Sequence, residues 1–214
     1  MFFRKRIKVS EFVESLCSQL LTGDGIFLHE AFFDEFSTMV SEGGYGRTPG
    51  ENDGDTGPSA DRDLFINYFI GTLLWLIKYR TLSNMFNSPR KLAYLDLSFD
   101  TVAPDFVDRR FFRYRTDIIK ETYDAMDIGC KKAYIGKLQK GEKPRFLVSP
   151  LWARNPDPHP FHVAAALFIE IVGQKASTET TGDPTRHSFS EVLEKRFLSL
   201  TQEAADTARR LNVT

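Results

Sequence analysis

The stretch LFINYFIGTLLWLI, residues 64–77, constrains this chain more than any other. It is the longest run without a charged side chain. Its fourteen residues fall short of the roughly 20 that a helix needs to cross a bilayer, so the run suits a buried helix. The pattern around it is apolar on nearly every side, which marks a central helix rather than a surface one. Asp61 can cap that helix, which reads as about 62–86, and Pro89 marks its stop.

The rest of the chain must cover this element, and it too reads as helix. Ser10 precedes EFVESLCSQLL and Gly23 follows, with Phe12, Val13, Leu16, Cys17, Leu20 and Leu21 on one face. A second helix runs from Phe27 to Val40 and stops at Gly43. KLAYLDLSF, 91–99, alternates weakly and reads as a short strand or an irregular connection. Pro104 suits the first turn of a helix running to about Ile128, with a break at Gly129 and a further helix over Cys130 to Lys140. Pro160 opens FHVAAALFIEIV, which ends at Gly173. SFSE at 188–191 is a capping box built on Ser188 and Glu191. Behind it Leu193, Phe197, Leu200, Ala204, Ala208 and Leu211 recur at intervals of three and four. That terminal helix packs along the body or pairs with another chain. The expectation is an all-α chain, a single globular domain over 1–214 with six or seven helices. No internal repeat appears, and two long polar loops lie at 42–61 and 174–187.

Composition sets the class. A chain of 214 residues can bury a sizeable core, and 42% hydrophobic with 27% charged residues is ordinary for a soluble globular protein. Its 19 Phe supply either a well-packed interior or aromatic anchors for a partner. Basic residues number 28 and acidic residues 29, so the net charge of −1 exerts no global pull toward nucleic acid or membrane. Two cysteines make neither a disulfide framework nor a zinc site. Cys17 falls on an apolar helix face, and Cys130, next to Lys131 and Lys132, reads as a surface thiol. MFFRKRIK is basic, but the apolar segment of a secretory signal does not follow, which makes a reducing cytoplasm the expected location.

The segment most suggestive of chemistry is SEGGYGRTPGENDGDTGPSADRD, 41–63. A calcium loop needs oxygens at its fifth position and Glu at its twelfth, where this chain has Gly57 and Leu64 counting from Asp53. Gly44, Gly46 and Gly50 have the wrong last spacing for a dinucleotide fingerprint, and Gly136-Lys137 lacks the upstream Gly of a P-loop. The stretch reads as a polar connection between helices. Asp53, Asp55 and Asp61 leave weak calcium binding open, and His159 and His162 lie three apart with Glu170 two turns on as candidate ligands of another metal, although such a site needs three or four convergent groups. RRFFRYR, 109–115, mixes Arg with aromatics. Arg109, Arg113, Lys131, Lys132 and Lys137 are the candidates for contacting phosphates. On a helix the same segment divides into a core side with Phe111 and Tyr114 and a charged side. There Asp105–Arg109, Arg113–Asp117 and Lys120–Asp124 pair at i,i+4. With no catalytic motif intact and no cofactor implied, the sequence points to a non-catalytic helical protein that binds another protein or itself. A nucleic-acid-binding protein using 109–145 and a metal-dependent enzyme around His159 and His162 are the alternatives.

Overall fold

Phe65, Ile66, Phe69, Ile70 and the run from Leu73 to Ile77 are all buried, on every side of one helix. The computed structural model describes residues 10–12, 14–15, 18, 28–43, 58–84, 89–139, 160–172, 189–202 and 206. Within these residues six helices are bounded: α1 Leu28–Gly43, α2 Pro58–Asn84, α3 Pro89–Arg110, α4 Thr116–Gln139, α5 Pro160–Ile171 and α6 Phe189–Leu200. Helical residues at Ser10, Glu11 and Phe12 precede them, and Phe12 is buried. No strand occurs among the described residues. The fold is all-α around a single hydrophobic core.

α2 is the axis of that core. It packs most extensively on α4 and also touches α1, α3 and α5. The two helices approach closely at Gly71, where an added Cβ would sit 2.5 Å from the Ile119 carbonyl oxygen and 2.7 Å from Thr122 Cβ. Only a residue without a side chain lets the two backbones meet this closely. At its other end, α4 approaches α5 through Gly129, whose absent Cβ leaves room for Leu167.

The phenylalanines explain themselves in the interior. Phe32 stacks on Phe69 with ring centroids 4.0 Å apart, and Phe168 meets Phe36, Phe65 and Phe197 edge-to-face at 5.4–5.8 Å. Tilted and edge-on pairs at these separations favour the ring quadrupoles beyond the area they bury. Rings from α1, α2, α5 and α6 thus interlock, and a bidentate ion pair from Arg196 to Glu35 (2.6 and 2.7 Å) ties α6 to α1 at the edge.

Several expected boundaries shift. α2 begins at Pro58, a favoured first helical residue, rather than beyond Asp61. α1 likewise extends through Gly43. The polar connection set at 42–61 therefore loses both ends to helices, and its remainder, 44–57, lies outside the described residues, as does 174–187. Residues 91–99 are neither strand nor irregular; they belong to α3. That helix runs straight through Pro104, which sequence reasoning placed at a helix start. Pro104 removes the hydrogen bond to the Asp100 carbonyl, yet Leu95, Phe99, Ala103, Phe106 and Val107 form one buried face across it. Burial of that face outweighs the missing bond. The break comes instead at Phe111–Arg115, where the Phe111 amide bonds back to Val107 (2.8 Å) and the Tyr114 amide to Phe111 (2.8 Å), and α4 opens with the Ile119 amide on the Arg115 carbonyl. Ser188 and the positions Ala204, Ala208 and Leu211 lie outside the described residues, whereas Leu193 and Phe197 are buried as expected.

Candidate functional site: a buried lysine among three carboxylates

Lys78 follows the charge-free run directly and sits on the helix that is buried all round. Its side chain is 0% exposed, so its ammonium must find its counter-charges inside the protein. Three carboxylates converge on it. Nζ lies 2.6 Å from Asp100 Oδ1 and 2.8 Å from Asp96 Oδ1, both from α3, and 3.6 Å from Asp127 Oδ1 of α4. Asp96 and Asp100 are one helical turn apart, which places both on the α3 face turned toward α2. The Tyr123 hydroxyl donates to the same Asp100 oxygen at 2.8 Å, and the Trp75 indole N–H donates to Asp127 at 3.2 Å. The Tyr123 ring lies 5.5 Å from Nζ, close enough for a cation–π contact.

The electrostatics follow from crowding three anions around one cation. Burial alone would lower the Lys78 pKa. The charges of Asp96 and Asp127 and the hydrogen bonds to Asp100 and Asp96 more than offset it, and the ammonium is held above the ordinary lysine value. It is therefore a donor and counter-ion, not a nucleophilic amine. Asp96 moves the other way from a normal ion-paired acid. Burial raises its carboxyl above the usual aspartate range, the charges of Asp100 and Asp127 add to this, and Lys78 only partly opposes it. The cluster is an ionic lock joining α2, α3 and α4.

Beside the lock, sharing Tyr123 as a wall, is a cavity of about 120 Å³. Leu74, Pro104, Val107 and Ile119 form its apolar lining, and Lys120 and Asp124 stand at its edge. Lys120 is already paired with Asp108 at 2.5 Å, while Asp124 is exposed.

Sequence reasoning passed over this centre. The charge-free run stops at Ile77, and acids paired by their spacing within one helix do not reveal carboxylates that arrive from two other helices. The available signal was a lysine directly behind the charge-free run 64–77, on a helix expected to be buried all round, which obliges acids to arrive from elsewhere. The residues that sequence reasoning did single out are dispersed. Arg109 pairs with Glu14 at 3.0 Å, and its Nε donates to the Asp105 carbonyl rather than to the Asp105 side chain. Arg113 stands on the turn, 5.8 Å over the Phe112 ring. Asp117 pairs with Arg115 at 2.6 Å. The three expected i,i+4 ion pairs thus give way to others: Phe111–Arg115 interrupts the helix between Arg113 and Asp117, whereas Arg109 and Lys120 stay within intact helices and pair across to Glu14 and Asp108 instead. Lys131, Lys132 and Lys137 belong to α4, and their side chains lie outside the described residues. His162 is exposed, with Nδ1 3.2 Å from Glu194, and Glu170 is exposed two turns away. His159 and Cys17 lie outside the described residues. Among those described, no three His, Cys, Asp or Glu side chains are disposed to hold a metal ion.

Cys130 corrects the expectation of a surface thiol. It is buried, and its thiol donates to the Pro160 carbonyl at 4.0 Å. Burial pushes its pKa far up, and the nearby charge of Asp127 adds to this.

The chain matches no protein-family model, no curated protein and no solved structure. Among the described residues no helix is long and apolar enough to cross a membrane.

Proposed function

We propose that this is a non-catalytic interaction protein that offers the outer face of α3 to another protein. The observation that carries the reading is the pair Tyr94 and Leu97, 63% and 64% exposed at adjacent positions of one helical face. Burying such side chains would contribute about 1.5–3 kcal/mol each, and exposed aromatic anchors on a rigid support are what interface hot spots require. The support is rigid because the opposite face of α3 is fixed by Leu95 and Phe99 in the core and by Asp96 and Asp100 on Lys78. The lock favours a structural rather than a chemical role, since its amine keeps its proton. A chain with two cysteines and a buried thiol suits a reducing compartment, and the cytoplasm is the location we infer.

Partner capture with wild type and with Leu97→Asp tests the reading. A stoichiometric partner retained by wild type and lost by the variant supports it. No partner on wild type, or equal capture by both, ends it.

A further inference from the structure

Phe112 stands apart from the interlocked rings. Among the described phenylalanine side chains it is the exposed one, at 69%, although it sits on a turn pinned by hydrogen bonds at Phe111 and Tyr114. A fixed backbone presenting a ring to water is a knob without a hole. The hole is on the same α3–α4 hairpin: the cavity of about 120 Å³ beneath Pro104, Val107 and Ile119. A closed apolar cavity of about 150 Å³ accommodates benzene, so a slightly smaller cavity open at its edge suits one phenyl ring and excludes an indole.

The charges around knob and hole are complementary. Phe112 is flanked by Arg110 and Arg113, both exposed, and the described structure gives neither an acidic partner. At the cavity edge Asp124 is exposed, and Asp105 lies next to the lining residue Pro104. The one cation at the edge, Lys120, is neutralised by Asp108. A ring arriving with an arginine beside it would set that arginine against Asp124.

We infer that the occupant of this cavity is Phe112 of a second copy of the chain. A two-fold axis makes the contact twice, each hairpin giving its knob and receiving the other's, and the assembly closes as a dimer. The inference goes beyond the interaction reading: it names a second copy as partner and uses the elbow of the hairpin rather than the Tyr94–Leu97 face.

Sedimentation equilibrium over a concentration series, at low and moderate salt, tests it on the full chain. Wild type should reach twice the chain mass of 24.5 kDa. Phe112→Ala should weaken the dimer by at least about 30-fold, the loss expected when a central aromatic anchor is truncated. Asp124→Arg should weaken it as well, and adding Arg113→Asp to Asp124→Arg should restore it. Both side chains are exposed, and circular dichroism confirms that each variant folds. A monomeric wild type overturns the inference, as does a dimer indifferent to Phe112→Ala or a charge swap without rescue. A monomer that still captures a partner through Leu97 would sink the dimer and leave the interaction reading standing.

Discussion

Lys78→Met is the most informative single change to this protein. Methionine matches the length of the lysine stem and leaves the surrounding core filled, so the variant isolates the charge. Removing one member of a buried ion pair costs about 3–5 kcal/mol, because the survivor stays charged and unpaired. Here the survivors are Asp96, Asp100 and Asp127, with side chains 22%, 41% and 13% exposed. Water screens Asp100, so Asp96 and Asp127 carry the penalty and the expected loss is near the lower figure, about 3 kcal/mol. Against a total stability of about 5–15 kcal/mol this moves the urea midpoint by on the order of 1 M, read by circular dichroism. Two further measurements identify the cause. Adding Asp96→Asn and Asp127→Asn to Lys78→Met should recover at least half of the loss. Acidification should do the same without mutation. In the variant the orphaned carboxyls are harder to ionise when folded than when unfolded, so the folded state takes up protons first and gains stability as pH falls from 7 toward 5. A variant within about 0.3 M of wild type at pH 7 would refute the reasoning, as would a gap that stays constant with pH.

The other predictions concern packing, reactivity and pH. Gly71→Ala should destabilise by about 1–3 kcal/mol or more in urea titration, since its Cβ meets backbone at 2.5 Å. Gly129→Ala meets only the end of the Leu167 side chain and gains helix propensity, so it should be nearly neutral. Phe32→Ala, at the stack on Phe69, should cost about 3–5 kcal/mol by the same assay. In a Cys17→Ser background, Cys130 should resist alkylation at pH 8 until the protein is unfolded; rapid native labelling would contradict its burial. The raised Lys78 pKa means its stabilising contribution is complete below the unfolded-lysine value of about 10.4 and is lost as pH rises through the folded value. Wild type should therefore lose stability in that alkaline range by a component that Lys78→Met lacks.

The all-α class and the central helix were legible because burial on all sides needs a long charge-free run, and 64–77 supplies it. The lock was not, because its members are distant in sequence and only packing brings α3 and α4 to Lys78. Pro104 misled as a helix start because local backbone preference is weaker than the continuous apolar face from Leu95 to Val107. The turn at 111–115 left no trace in RRFFRYR, which lacks Gly and Pro. It is set by Phe111 reaching the core, and Phe111 was indeed assigned to the core side. Once that turn is misplaced, the pair counted across it, Arg113–Asp117, is lost, and Asp117 pairs with Arg115 instead. The knob at Phe112 is illegible for the same reason, since its exposure depends on its leaving the helix.

The position of Lys78 also governs the order in which the helices can come together. Docking α2 on α4 alone would strip water from the ammonium while offering it only Asp127, the farthest of its three acids. Docking α2 on α3 alone would give it Asp96 and Asp100 but leave Trp75 and Asp127 without each other. The α2–α4 pair alone would therefore carry a desolvated ammonium short of its two nearest acids, so α3 must join for that pairing to be stable. Amide protons in the middle of α2, α3 and α4 should then exchange with solvent at a common opening free energy, while those of α6, tied on through Phe197 and Glu35, open separately.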